Sequence, residues 1–136
     1  MKQEKNFDLT IIDGPARTSH ATLEIAQKAD LVIQPSGPSL DDLVPAVKEF
    51  NALVKAGVRK DKLVFVLNRI ATLSEASAAK EYLQKAGYSV LETNLFEKSS
   101  YRQTQNQGLT ITEVIYIGLK TQAQSLVKEI IKKVNQ

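Results

Sequence analysis

Lys62-Leu63-Val64-Phe65-Val66-Leu67-Asn68 is the stretch on which the fold turns. Its apolar run is unbroken, β-branched and aromatic, and too short for a buried helix. It therefore reads as a strand covered on both faces, the pattern of a parallel sheet with helices above and below. Upstream, Asp30-Leu31-Val32-Ile33-Gln34-Pro35 repeats the strand pattern and stops at Pro35 and the Ser36-Gly37-Pro38-Ser39 loop. Between the two, Asp41 or Asp42 caps a predicted helix with Pro45 in its first turn, where a missing N–H costs little. Leu43, Val47, Phe50 and Val54 form its inward stripe, and Gly57 suits the left-handed position that ends it.

The same alternation continues outward. Ser74 is expected to cap a helix over 75–86, with Ala76, Ala79 and Ala86 close to the sheet and Gly87 at its end. Residues 88–95 read as a strand near an edge, 99–107 as a short helix closed by Gly108, and 121–134 as a terminal helix. In that last helix Ala123, Leu126, Val127, Ile130, Ile131 and Val134 recur at helical spacing. Near the start, Phe7-Asp8-Leu9-Thr10-Ile11-Ile12 reads as the first strand, ending in Asp13 and a Gly14-Pro15 turn. Thr18 or Ser19 then caps a helix to about residue 29, with Leu23, Ala26 and Ile25 inward. The whole, residues 1–136, is predicted to be one α/β domain: a doubly wound, mostly parallel sheet with helices on both faces. Ligands of such sheets sit beyond the carboxyl ends of the strands, so Asp13, Pro35 and Asn68 are expected to converge on one crevice.

Composition narrows the chemistry. There is no cysteine, hence no disulfide framework or thiolate site, and the single histidine, His20, excludes a histidine-rich metal centre. His20 falls in a first helical turn and reads as a surface or capping residue. No apolar run has the length of a membrane span and the first residues lack a signal-peptide core, so a cytoplasmic protein without a membrane partner is expected. Net charge is +3, with the excess toward the C-terminus: Lys98, Arg102, Lys120, Lys128, Lys132 and Lys133 against Glu113 and Glu129. This is either a solvated lysine face or a weak attraction for nucleic-acid phosphates.

Two positions carry candidate chemistry. A carboxylate at the lip of a sheet can hold Mg²⁺ through a water, because that ion takes oxygen ligands and keeps several waters; Asp13 is either such a group or a helix cap. Asn68 offers an amide that can donate and accept, as a purine edge requires, or can form an Asx-turn. The pair Asp41 and Asp42 reads as helix capping.

Phe7 to Pro15 in order, then Ala29 to Pro35 with Pro38-Ser39-Leu40-Asp41, then Phe65-Val66-Leu67-Asn68-Arg69, then Tyr101-Arg102-Gln103 leading to Gly108-Leu109-Thr110-Ile111-Thr112-Glu113, resembles the ParA-type partition ATPases. The small plasmid-borne members are most similar, with MinD-type proteins more distant. The resemblance runs from about residue 7 to the C-terminus. It implies a P-loop nucleoside-triphosphatase fold using ATP and Mg²⁺, with Asp13 the magnesium-side carboxylate and Gly14 and Pro15 in the switch that follows. It also implies nucleotide contacts at Pro35, Asn68, Arg69 and Tyr101. The implied partners are a second copy, nonspecific DNA met by Arg102, Lys128, Lys132 and Lys133, and a ParB-like protein that stimulates hydrolysis. Plasmid or chromosome cargo would be segregated by that cycle.

One family feature is missing: no Gly-x-x-x-x-Gly-Lys pattern occurs in the chain. The sequence therefore reads as the later portion of the fold, with the phosphate-loop strand and first helix missing. Without the loop's N–H groups and lysine, no useful ATP affinity or turnover is expected of this chain alone, so ATP and Mg²⁺ are expected of the full-length family and not of this chain by itself. In the family the phosphate-loop strand lies between the strands matching 7–12 and 31–34, so both are expected to have unpaired edges. Two other readings stand beside a partition-ATPase portion: a non-enzymatic dimerisation or interaction module, and a receiver-like signalling domain. The last is disfavoured because its acidic pair, phospho-accepting aspartate and late lysine have no counterparts.

Overall fold

The structure, a computed structural model, describes residues 6–14 and 19–136. It is an α/β domain around a three-stranded parallel sheet. The strands are β1 (Val32–Ser36), β2 (Leu63–Leu67) and β3 (Ser89–Val90), in the order β1-β2-β3. Five α-helices accompany them among the described residues: α1 (His20–Lys28), α2 (Leu40–Lys55), α3 (Leu73–Lys85), α4 (Ser99–Asn106) and α5 (Ile117–Val134).

β2 is central and every one of its residues is buried. Its pleat divides the core. Leu63, Phe65 and Leu67 join Leu43 and Phe50 of α2 and Ala76, Ala79 and Leu83 of α3. Val64 and Val66 turn the other way, toward Leu126 and the half-buried Ile130 of α5. The unbroken apolar run is explained by these two layers, since neither face of β2 meets water. On the first face Phe65 sits between Phe50 and Tyr88, with ring centroids 4.4 and 5.7 Å away. α1 adds Ala26 and Leu23 to the same layer.

Several local expectations hold. Gly57, Gly87 and Gly108 close α2, α3 and α4 at φ of 101°, 92° and 76°, values that a Cβ disfavours. Ser19 caps α1 by accepting from Thr22 N–H. Thr18, the other cap considered there, lies outside the described residues.

Other expectations are corrected. Residues 7–12 form no strand; they are exposed along their length. A strand is stable only through its neighbours, and β1, the strand on that side, has nothing paired to its outer edge among the described residues. Thr72, not Ser74, caps α3, accepting from Glu75 N–H at 3.2 Å. Ser39 occupies the N-cap position of α2, so Asp41 and Asp42 lie within the first turn, where their charge favours the helix dipole. Pro45 consequently falls in the second turn, on an exposed side of the helix, and removes the N–H that would reach the Asp41 carbonyl. The strand expected at 88–95 shrinks to two residues at the sheet edge, followed by an isolated bridge between Ile70 and Phe96. α5 begins at Ile117, four residues earlier than its apolar pattern, and Val127 and Ile131 are 42% and 47% exposed, beside the buried stripe. No helix among the described residues is long and apolar enough to cross a membrane.

Candidate functional site

β1 and β2 run in register, with Ser36 opposite Leu67. The chain leaving each strand therefore meets the other at one end of the sheet. There it lines an open cavity of about 340 Å³, within the size range of small-molecule sites. Gln34, Pro35, Ser36 and Gly37 come from β1 and its exit, Asp41, Asp42, Pro45 and Glu49 from α2, and Asn68 and Arg69 from the exit of β2.

Hydrogen bonds organise these side chains. The Gln34 amide donates to Glu49 Oε2 at 2.8 Å. The Arg69 guanidinium reaches Asp42 Oδ2 at 3.3 Å, and the Ser39 hydroxyl donates to the same oxygen at 3.2 Å. Asn68 N–H donates to the Ser36 carbonyl at 3.0 Å, tying the two strand exits together and leaving the Asn68 side chain half-buried at the cavity wall. Gly37 lies against this ion pair: a Cβ there would meet Asp42 Oδ2 and Arg69 Nη2, so both side-chain ends would have to shift.

Arg69 is the one described non-glycine residue with positive φ, at 53°. That left-handed conformation costs an L-residue roughly 1–2 kcal/mol. The exposed ion pair with Asp42 offsets only about 0–1 kcal/mol of it. Unfavourable backbone of this kind concentrates at functional sites.

Charge limits what can bind. Asp41, Asp42 and Glu49 share the lining with a single guanidinium, so the cavity disfavours a phosphate and offers acceptors to a ligand carrying hydrogen-bond donors. Asn68 and Gln34 add amides that both donate and accept.

Of the residues singled out in the sequence, the structure brings together Pro35, Asn68 and Arg69. Asp13 does not join them; it is exposed, lies in no strand and lines no part of the cavity. Gly14 is likewise exposed, and Pro15 lies outside the described residues. Tyr101 is buried in a separate cluster with Val114 and Ala123, its hydroxyl donating to the Leu119 carbonyl at 2.6 Å and lying 3.1 Å from Gln122 Oε1. Burial pushes its phenol above the ordinary range. Tyr101 thus anchors α4 to α5 and does not line the cavity. Arg102 is ion-paired with Glu97, Lys128 and Lys132 are exposed one turn apart on α5, and Lys133 is half-buried.

Among the described residues no three His, Asp or Glu side chains gather to hold a metal. Asp13 is not among the cavity's lining residues, whereas three other carboxylates, Asp41, Asp42 and Glu49, are. Of the cavity's polar side chains, Gln34, Asp41, Asp42 and Glu49 were among those not read as site residues in the sequence. Gln34 had the available signal, a long polar side chain inside an apolar strand.

The chain matches no protein-family model. No curated protein matches it.

Proposed function

We propose that this chain is the base-binding portion of a ParA-type partition ATPase, with a doubly wound, P-loop-like architecture completed by a phosphate loop that it does not itself carry. The supporting observation is the meeting of Pro35, Asn68 and Arg69 at one cavity. Pro35 lies in β1, and Asn68 and Arg69 lie at the exit of β2; the resemblance ties all three to a nucleotide. In this reading Asn68 and Gln34 hold a purine edge, and the carboxylates accept from its exocyclic amine. The phosphates and Mg²⁺ fall outside the cavity, Asp13 is a switch carboxylate without its partners, and the chain alone has no turnover. Arg102, Lys128 and Lys132 serve nonspecific DNA in the complete protein, which pairs with a second copy and a ParB-like stimulator to move cargo.

The test is a titration of the chain with adenosine, adenosine triphosphate and Mg²⁺, followed by amide chemical shifts. Adenosine is expected to shift Gln34, Asn68 and Arg69, with the triphosphate binding no more tightly. Asn68→Ala should weaken adenosine by about tenfold, the value of one buried hydrogen bond. A folded chain that responds to neither compound sinks this reading and leaves the interaction module in its place.

A further inference from the structure

Gln34 and Glu49 form a pair whose chemistry decides which end of an amide the cavity presents. Gln34 Nε2 donates to Glu49 Oε2 at 2.8 Å, between two half-buried side chains that both line the cavity. A carboxylate accepts and does not donate, so it holds the nitrogen end of the amide and leaves the carbonyl oxygen to face elsewhere. The charge on the acceptor makes this bond stronger than one between neutral groups. Gln34 Oε1 takes no hydrogen bond from the described residues and is not sealed from solvent. That oxygen is therefore open to a ligand.

Both members of the pair stand on rigid elements. Gln34 lies opposite Phe65 in the β1–β2 register, and Phe65 is wholly buried. Glu49 precedes Phe50, which is 1% exposed, on a helix that also buries Ala46, Val47 and Leu53. Neither backbone shifts without disturbing the core, and a reversed amide would set its oxygen against the carboxylate. Asn68, the other amide of the cavity, has no carboxylate on its side chain among the described residues, so it can turn either end to a ligand. Discrimination between a donor and an acceptor on the ligand falls to Gln34.

Building on the base-binding reading above, we propose that Glu49 is a positioning residue for base selection. By fixing the Gln34 carbonyl oxygen as an acceptor, it selects a purine with an amino group over one with an oxo group at the same position. Adenosine and inosine differ in this way. The adenosine amine donates to Gln34 Oε1, whereas the inosine oxygen in that place meets an acceptor and goes unpaired.

The test is a competition of adenosine with inosine for the intact chain, followed by amide chemical shifts, in wild type and in Glu49→Gln. Wild type should prefer adenosine by about tenfold or more. The amide of Glu49→Gln donates as well as accepts, so Gln34 can turn over. The preference should then fall to within about threefold, with inosine bound more tightly than by wild type. A merely structural role for Glu49 would weaken both nucleosides together and leave their ratio unchanged. Before any ligand is added, a Gln34 side-chain amide proton should lie downfield in wild type and move back in Glu49→Gln. Gln34→Met, which keeps the side chain long and removes its amide, should abolish the preference by weakening adenosine alone; it carries the test if Glu49→Gln does not fold. Equal binding of the two nucleosides by wild type overturns the assignment of Glu49 and leaves the base-binding reading standing, as does a preference that survives Glu49→Gln. A folded chain that binds neither nucleoside overturns both.

Discussion

Residues 63–67 and 7–12 carry similar strand signals, yet one is the centre of the sheet and the other is not a strand at all. Local propensity does not separate them; Phe, Leu and Ile suit 7–12 as Val, Leu and Phe suit β2. What separates them is neighbours. β2 has a parallel partner on each side and a helix layer on each face, so its backbone bonds and side chains are all satisfied. Segment 7–12 pairs with no strand among the described residues, and its apolar side chains Phe7, Leu9, Ile11 and Ile12 are exposed. A strand signal therefore states what a segment can do once a sheet edge is offered to it.

Replacing an aromatic residue in each region tests that contrast most severely. Phe65→Ala opens a cavity between Phe50 and Tyr88, where the ring is wholly buried, and should cost about 3–5 kcal/mol in urea denaturation. Phe7→Ala, measured at a concentration where the protein is monomeric, should stay within about 0.5 kcal/mol of wild type. Equal losses would show that 7–12 is packed in solution.

The two outer edges of the sheet differ in the same way. Beyond β3, the Glu129 carboxylate of α5 accepts from the N–H groups of Glu92 at 2.6 Å and Thr93 at 3.2 Å, so that side is tied to a helix. Beyond β1 no such tie exists among the described residues. Glu129→Ala should cost about 1.5–3 kcal/mol, the range for hydrogen bonds to a charged acceptor. Amide exchange should quicken at Glu92 and Thr93 and stay unchanged at Val32 and Ile33. Uniform quickening across the sheet would mean that the helix tie supports the whole domain and not one edge.

These contrasts explain what could be read from the chain. The parallel α/β class followed from the run at 63–67 and from the glycines at 57, 87 and 108, because burial on both faces and left-handed helix ends leave marks within a few residues. Pro35 and Asn68 were legible as strand exits, and strand exits in a parallel sheet gather at one end. Glu49 was not, since its role depends on a hydrogen bond to Gln34 fifteen residues away. That Tyr101 lies outside the cavity was not legible for a related reason: its hydroxyl donates to the Leu119 carbonyl, and nothing in the local sequence announces that α5 passes there. Asp13 depends on segment 7–12, whose state is decided by an edge elsewhere.

Alkaline pH provides the mildest probe of the same division, because each aromatic layer holds one tyrosine whose burial raises its pKa. Tyr88 rests on Phe65 and donates to Asn51 Oδ1 at 2.5 Å; Tyr101 lies in the α4–α5 cluster. Both phenols are shifted upward from 10.0 by desolvation. Above pH 10 the unfolded chain releases these protons while the folded chain keeps them, so the unfolded state binds fewer protons and stability falls as pH rises. Below that value the contribution is fully present. Each tyrosine can account for at most about 1.4 kcal/mol per pH unit. Tyr88→Phe and Tyr101→Phe should each flatten the decline above about pH 10, one through the β2 layer and the other through the α5 side. If neither variant changes the slope, the alkaline loss originates in groups other than the two buried phenols, and the two layers open to solvent before the phenols titrate.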